Sequence, residues 1–260
     1  DSNWTRATTL ASFPDTYYYQ ASGDVTAYIN QWGAGDFRVT DVDSMPLAGL
    51  NLDRAFSAWT IVVFYENPAD QPRNLALFDA FSYIAPSAGV PSVSATLSGF
   101  LVPPGFDARM TAFTYEGDNT YTGDSFSING TKVSNALNPS TDFFNSSRSY
   151  LGQPVSNAGD LPRLTGTAQS MSGMDMDVVD VTSRLKAQQT SATIVATTAT
   201  GGNSDTYLLA GFVTSISTFK PDFSTSTKTV TDLNGALSPD VEQRLRDMDE
   251  TVEVRVIVTA

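Results

Sequence analysis

The sequence predicts an all-β protein built as an antiparallel β-sandwich, either jelly-roll-like or immunoglobulin-like. Short apolar runs of strand length recur along most of the chain, and Gly, Pro, Asn and Asp separate them. The acidic residues are 23 Asp and 5 Glu, and Asp favours turns and caps over helix interiors. Helical periodicity is rare, so we expect one short helical turn at residues 181–186 and a further helical pattern near the end of the chain.

The first half of the chain contains five predicted strands. They are YYYQ (17–20), DVTAYI (24–29), FRVTDV (37–42), WTIVVFYE (59–66) and NLALFDAF (74–81). The last two are apolar on both faces, which is typical of strands covered on both sides, so we expect them at the centre of a sheet. The connector between them contains Pro68 and Pro72, which cannot donate to a ladder, and we interpret it as a rigid polar bend.

The second half continues with apolar runs separated by turn residues. The predicted strands are SVSATLSGFLV (92–102), ARMTAFTYEG (108–117), DSFSING (124–130), TKV (131–133), MDMDVV (174–179), SATIVATTAT (191–200) and TYLLAGFVTSISTF (206–219). Asn129-Gly130 predicts a tight hairpin turn, and the turn at residues 201–203 predicts that the last two strands pair with each other. Residues 134–170 are irregular and predict a long surface excursion.

The chain divides by pattern into two parts. Residues 1–223 form the predicted sandwich, with residues 1–23 as an extended N-terminal arm, and residues 224–260 form a linker, a short helix and a final strand. That strand, TVEVRVIVTA (251–260), alternates valines with mostly polar residues. One of its faces is lined by Val252, Val254, Val256 and Val258. A strand that is apolar on one face needs a sheet to pack with.

Composition excludes several classes of function. The net charge is -13 at pH 7, so the surface repels phosphate backbones and nucleic-acid binding is not expected. Histidine and cysteine are absent, which excludes a Ser-His-Asp triad, a cysteine nucleophile, a zinc finger and an iron–sulfur cluster. No run has the length of continuous apolar sequence that a membrane helix needs, so no membrane span is expected.

Four segments together resemble a β-rich domain of unknown function from bacterial surface proteins and adhesins. They are WTIVVFYENPADQPRNLALFDAF, YEGDNTYTGDSFSING, NALNPSTDFFNSS and TYLLAGFVTSISTF, and their order and spacing cover residues 24–223. TKTVTDLNG is similar to the opening of an immunoglobulin-like surface repeat, of which only a shortened form could follow. The resemblance implies an extracellular, cell-surface, non-catalytic role.

Acidic residues in two segments suggest a site for a hard cation such as calcium, although the predicted function requires no cofactor. One group is Glu116, Asp118 and Asp124, and the other is Asp175 and Asp177, which share a strand face. The spacing does not match the calcium loop of an EF-hand, and ordinary turns are the favoured explanation of the first group. Asp180 is expected to cap the helical turn that begins near Val181.

Two other kinds of site remain open from sequence. Paired carboxylates could serve glycoside hydrolysis, which needs neither His nor Cys, and Glu116 is the candidate to test. Sugar rings could stack on the aromatic side chains of Tyr17, Tyr18, Tyr19 and Trp32, as in a calcium-assisted carbohydrate-binding module.

The function predicted first is that of a non-enzymatic extracellular structural or adhesive protein. It acts as a surface adhesin or as the subunit of a pilus-like filament whose copies assemble by β-strand addition, because an exposed sheet edge accepts an added strand. The expected partners are further copies of the chain, other surface proteins or glycans. The candidate subunit-contact residues are Tyr17, Tyr18, Tyr19, Val252, Val254, Val256 and Val258.

Overall fold

A computed structural model of the chain describes residues 3–10, 13–40, 42, 48, 57–117, 120–202 and 204–218. For residues 3–17 it describes the backbone of two strands. The segment from residue 219 onward lies outside the described residues. Its predicted helix and strand, with the contact residues Val252, Val254, Val256 and Val258, therefore stay predictions.

The described residues form a β-sandwich, which confirms the predicted fold class. The strands are β1 (Asn3–Leu10), β2 (Phe13–Ser22), β3 (Arg73–Ile84), β4 (Ser92–Ser98), β5 (Ala108–Tyr115), β6 (Ser125–Ile128), β7 (Thr131–Lys132), β8 (Arg148–Tyr150), β9 (Gln153–Pro154), β10 (Met174–Asp180), β11 (Ser191–Thr197) and β12 (Tyr207–Ser217). The helical segments are α1 (Thr26–Trp32) and two single turns of 3₁₀-helix, Pro86–Ala88 and Thr182–Arg184.

Two sheets make up the sandwich. One has the order β3-β12-β5-β10-β8-β9, and the other has the order β4-β11-β6-β7. Neighbouring strands are antiparallel except β10 and β8, which are parallel. β1 and β2 pair with each other as a separate two-stranded sheet. Among the strands that the structure describes, β3 is therefore an edge strand of the six-stranded sheet.

The core lies between the two sheets and is built by alternation along each strand. On β5 the buried residues include Met110 and Ala112, and on β11 they include Ile194 and Ala196. One end of the core is filled by four aromatic rings whose neighbouring centroids lie 4.8–6.0 Å apart: Phe126, Phe143, Phe144 and Tyr207. The other end holds an apolar hollow of about 10 Å³, lined by residues such as Phe100. This hollow has room for about one water molecule and none for a sugar ring.

The prediction of a strand at residues 24–29 is wrong, because this segment begins helix α1. Asp24 starts the turn by accepting a hydrogen bond from the Thr26 N–H at 2.9 Å. Gly33 ends the helix with φ +65°, and its N–H donates to the Ile29 carbonyl at 2.8 Å. Six residues are too few to separate a two-residue period from a helical one when the local hydrogen bonds favour the turn.

The prediction of two central strands at residues 59–66 and 74–81 is wrong in both parts. Residues 57–66 have no strand structure, and Trp59 and Tyr65 are exposed. Residues 74–81 do form part of β3, but β3 lies at the edge and alternates half-buried with exposed positions. Apolar side chains on both faces favour burial of a segment away from water, but they do not determine which strand it pairs with. Similarly, residues 37–40 and 42 of the predicted strand FRVTDV have no strand structure.

The predicted pairing between the last two described strands is also wrong. β11 pairs with β4 and β6, whereas β12 pairs with β3 and β5 in the other sheet. The connection between them therefore crosses from one sheet to the other. The Thr198 hydroxyl donates to the Asp205 carbonyl at 2.8 Å within this connection. Neighbouring strands in sequence usually pair, and this crossover is one of the exceptions.

The structure confirms some of the remaining local predictions and corrects others. β6 and β7 form the predicted hairpin, with Asn129 at φ +51° and Gly130 at φ +77° in its turn. Residues 134–170 are largely irregular, with β8 and β9 as short strands, but the prediction of a surface excursion is wrong, because Phe143 and Phe144 in this segment are fully buried in the core. The predicted helical turn at residues 181–186 is a single 3₁₀ turn. Residues 3–10 and 13–22 form an antiparallel hairpin, not an extended arm.

None of the helices in the described parts of the chain has both the length and the hydropathy needed to cross a membrane.

Candidate functional site

Asp175 and Asp177 share one face of β10, as their spacing predicts, and this face points into the core. Both carboxyl groups are buried, with 1% and 0% of the residue exposed. Asp175 Oδ1 accepts a hydrogen bond from the Ser147 N–H at 2.9 Å, and its Oδ2 accepts one from the Thr114 hydroxyl at 3.3 Å. Asp177 Oδ1 lies 2.5 Å from the Ser149 hydroxyl, which donates to it. The two carboxyl groups therefore hold β8 and the loop before it against β10.

Asp124 joins this arrangement from the start of β6. It is fully buried, and its Oδ2 accepts the Phe144 N–H at 2.7 Å. Phe144 is the ring that contacts Tyr207, with centroids 4.8 Å apart. Asp124 thus fixes the backbone of the loop that carries Phe143 and Phe144 into the core. We name Asp124, Asp175 and Asp177 the carboxyl cluster.

The loop contributes three further polar residues that the sequence analysis did not single out: Asn138, Ser147 and Ser149. The Asn138 side-chain amide donates to the Phe143 carbonyl at 3.2 Å and to the Ser147 hydroxyl at 3.1 Å. The Ser149 hydroxyl also lies 3.2 Å from Asn138 Oδ1. Each of these residues is at most 2% exposed. The signal for them in the sequence is the DFFNSS phrase, where two adjacent Phe sit among polar residues within an otherwise irregular segment.

The carboxyl cluster is electrostatically unfavourable in its ionised form. Burial raises the pKa of Asp124 to about 7, although the hydrogen bond from the Phe144 N–H opposes the shift. Burial raises the pKa of Asp177 to about 6, against the opposing hydrogen bonds from serine and asparagine. Burial, followed by the charge of Asp177, raises the pKa of Asp175 well above its ordinary value. Asp124 Oδ1 and Asp177 Oδ2 accept no hydrogen bond from the residues that the structure describes, so a negative charge on either oxygen is poorly compensated there.

The predicted cation site also includes Glu116 and Asp118. Glu116 follows β5 with φ +65°, and burial, followed by the charge of Glu116, raises the pKa of Tyr83. Asp118 lies outside the described residues. Within residues 57–117, 120–202 and 204–218, as in the rest of the described chain, no group of three or more acidic side chains is arranged to hold a metal ion. Calcium binding therefore stays a prediction.

The remaining acidic residue of this region, Asp180, has the local role expected of it. Its Oδ1 accepts the Thr182 N–H at 2.8 Å at the start of the 3₁₀ turn.

The carboxyl cluster is suited to holding structure and not to contacting a substrate. A general acid or base must reach the proton that it transfers, and these carboxyl groups are covered by protein on every side. Their hydrogen-bond donors include backbone and hydroxyl groups of residues 144–149 and the Thr114 hydroxyl of β5. The free energy of unfolding is therefore expected to depend on the protonation of these carboxyl groups.

The exposed surface offers a second candidate site at the edge of the six-stranded sheet. Leu75 and Leu77 on the outer face of β3 are 40% and 48% exposed. Residues 57–66, which precede β3, expose further large apolar side chains: Trp59, Val63, Phe64 and Tyr65. An exposed apolar sheet edge is a template for pairing with another chain.

The predicted aromatic residues occupy two different places. Tyr17, Tyr18 and Tyr19 lie on β2, in register with residues 7–9 of β1, and the side chains of Tyr18 and Tyr19 are half-buried. Trp32 ends α1 and is 69% exposed, and Tyr28, one turn earlier, is 65% exposed. Residues four apart share one helix face, so Tyr28 and Trp32 form a small exposed aromatic surface.

Comparisons with known proteins give no assignment. No protein-family model matches the chain, and no curated protein matches it. Among solved structures the chain is similar to "Crystal structure of Agl-KA catalytic domain", with 15% sequence identity and a TM-score of 0.25. The match covers 70% of this chain and 34% of that chain, so the chain spans about a third of that protein. A likeness at this level says nothing about activity.

Proposed function

We propose that this chain is a non-enzymatic extracellular protein with a structural or adhesive role, and that its copies assemble by β-strand addition. The observation that supports this best is the β3 edge. β3 is the longest described strand, with 12 residues, and it has one neighbour within the described part of the sheet. Its outer leucines are exposed in a chain whose net charge of -13 otherwise favours contact with water.

The buried carboxyl cluster and the resemblance to surface proteins support the same proposal. The acidic residues with the most perturbed pKa values hold a core loop and are closed to substrate, which favours a structural role over hydrolysis. The N-terminal hairpin already pairs within itself, so it is a poor donor of a single strand. The valine-rich segment 251–260 is therefore the donor that we favour.

Light scattering and negative-stain electron microscopy of the full chain test this proposal. We expect regular assemblies from the full chain and monomers from a chain that ends at residue 250. Leu77→Lys should weaken assembly because it places a charge on the exposed edge, whereas Leu161→Lys, at a 58% exposed loop position, should leave assembly unchanged. Assembly of the chain that ends at residue 250, or a full chain that stays monomeric at every concentration, would contradict the proposal.

A second candidate function is carbohydrate binding, which the exposed pair Tyr28 and Trp32 favours. Aromatic rings exposed together on one face provide a surface on which a sugar ring can stack. A glycan array probed with the full chain and with Trp32→Ala tests this candidate, with calcium and with a chelator. Binding that is lost in Trp32→Ala supports it, and loss with chelator would add calcium to the site. Equal signals from both chains would rule out stacking on α1.

A further inference from the structure

The exposed edge of β3 has a regular stretch and an interrupted one. From Arg73 to Asp79 its residues pair one-to-one with β12, and an irregularity follows at the Leu209/Gly211 step of β12. Within the regular stretch Leu75, Leu77 and Asp79 lie on the outer face. The inner face holds Ala76 and Phe78, and Phe78 stacks on Phe212 with centroids 5.0 Å apart. An added strand can therefore follow β3 in simple alternation only along residues 73–79.

The two faces of this stretch favour different side chains in an added strand. On the inner face the small Ala76 leaves room beside the half-buried Phe78, which suits branched apolar residues. On the outer face Leu77 is 48% exposed and suits an apolar partner, while the exposed Asp79 suits a cation. Arg73 at the start of the stretch already binds the Asp107 carboxylate at 2.7 Å. Asp79 is the one acidic side chain of residues 73–79, so a cation in an added strand would pair with it.

The segment 251–260 matches this pattern in one direction and one register. With Arg255 opposite Asp79 in an antiparallel pair, Ile257 falls opposite Leu77 on the outer face. Val256 then falls opposite Phe78, and Val258 opposite Ala76, on the inner face. A parallel strand with the same Arg255 pairing would place Glu253 opposite Leu77, which removes the apolar contact.

The described part of the chain ends next to the start of β3, on the side of β3 that pairs with β12. The Thr218 N–H and hydroxyl both donate to the Pro72 carbonyl, at 2.8 and 3.1 Å, immediately before β3 begins. Residues 219–250 number 32 and could span about 100 Å if fully extended. The segment is therefore attached by enough chain to reach a neighbouring molecule.

We propose that residues 255–259 of one copy add antiparallel to residues 75–79 of β3 in a second copy, with Arg255 opposite Asp79. This rests on the proposed assembly function and specifies its acceptor, its direction and its register. Asp79 now accepts hydrogen bonds from the Gln20 side-chain amide at 2.6 Å and the Ser22 hydroxyl at 3.2 Å. These neutral donors leave its charge available to a cation on the outer face.

Disulfide trapping tests the register, since the chain contains no cysteine and any disulfide must come from the introduced pair. The Leu77→Cys and Ile257→Cys chains are mixed under mild oxidation and run on a non-reducing gel. We expect a crosslinked dimer that contains one of each chain. Leu161→Cys mixed with Ile257→Cys is the matched control and should give at most a tenth of that yield.

A charge exchange tests the pairing independently. Asp79→Arg and Arg255→Asp should each raise the dissociation constant of assembly at least tenfold, and the double variant should recover most of the loss. Thermal melts of the single variants check that the loss of the Gln20 and Ser22 bonds does not unfold the domain.

Three results would overturn this inference. A chain that assembles by light scattering but shows no preferred crosslink refutes the register and leaves the proposed function intact. A chain that does not assemble refutes both. A crosslink that forms inside one monomeric chain carrying both cysteines shows that the segment pairs with its own β3.

Discussion

Replacing Asp124 by Asn is expected to flatten the pH dependence of stability, because burial raises the pKa of Asp124 from its ordinary value of 3.8 to about 7. Below pH 3.8 the carboxyl group is protonated in both the folded and the unfolded state, and its contribution to the free energy of unfolding is at its maximum. Between pH 3.8 and about 7 the unfolded chain loses this proton while the folded chain keeps it, so the free energy of unfolding falls. Above about pH 7 both states are ionised and the fall ends.

The size of this effect follows from the shift. A rise of about three pKa units corresponds to about 4 kcal/mol, at about 1.4 kcal/mol per unit. Asp177, with a pKa raised to about 6, and Asp175 contribute with the same sign and remain in the variant. The Asp124→Asn protein should therefore keep part of the slope and lose about 1.4 kcal/mol per pH unit of it between pH 4 and 7. The amide oxygen can still accept the Phe144 N–H.

Urea denaturation followed by circular dichroism at half-unit steps from pH 4 to 8 measures this slope. Asp107→Asn is the control, because the Arg73 side chain lowers the pKa of Asp107. A lowered pKa gives stability that is present above pH 3.8 and is lost only as the pH falls below it, outside the measured window. Equal slopes for wild type and a folded Asp124→Asn protein would refute the reasoning, since they would mean that burial does not perturb this group.

Two substitutions test how the core loop is packed, and each has a defined readout. Gly117→Ala should destabilise the domain by about 1–3 kcal/mol, because the added Cβ would lie 2.6 Å from the Phe144 carbonyl oxygen and also against Asp175; Gly201→Ala, with open space at the same position of its side chain, should change the urea midpoint little. Phe144→Ala should cost about 3–5 kcal/mol in the free energy of unfolding because it removes a fully buried ring that contacts three others, and a loss below about 1 kcal/mol, with Phe144→Leu no milder, would contradict the aromatic packing described here.

Short-range chemistry made parts of this fold predictable. Asn129-Gly130 predicts its hairpin because both residues tolerate positive φ, and both adopt it. The alternation of Asp175 and Asp177 along β10 predicts their common face, and Asp180 predicts its own turn. Each of these depends on a few neighbouring residues, so the sequence contains all the information that is needed.

Long-range pairing could not be predicted in the same way. No local feature of the β12 sequence indicates that this strand pairs with β3 and β5 instead of β11, because any two apolar strands present similar backbones. The carboxyl cluster could not be predicted for the same reason, since it also depends on long-range packing. Asp124 is 51 residues from Asp175 along the chain, and only the packing of β6 against the loop before β8 brings their charges within influence of each other. The acidic residues were therefore identifiable as candidates, whereas their burial was not.

The carboxyl cluster both opposes and supports the folding of the domain that carries the exposed β3 edge. Three buried carboxyl groups oppose folding when they ionise, yet their hydrogen bonds fix the loop that seats Phe143 and Phe144 in the core. A core specified in this way keeps the six-stranded sheet in a single arrangement, and with it the residues that β3 presents at the edge. The net charge of -13 then opposes random association of copies, because like charges repel before apolar surfaces meet. In the assembly that we propose, backbone hydrogen bonds and one matched charge pair together would overcome that repulsion in a single register. Specific assembly through β3 would then depend on both the packed core and the acidic surface.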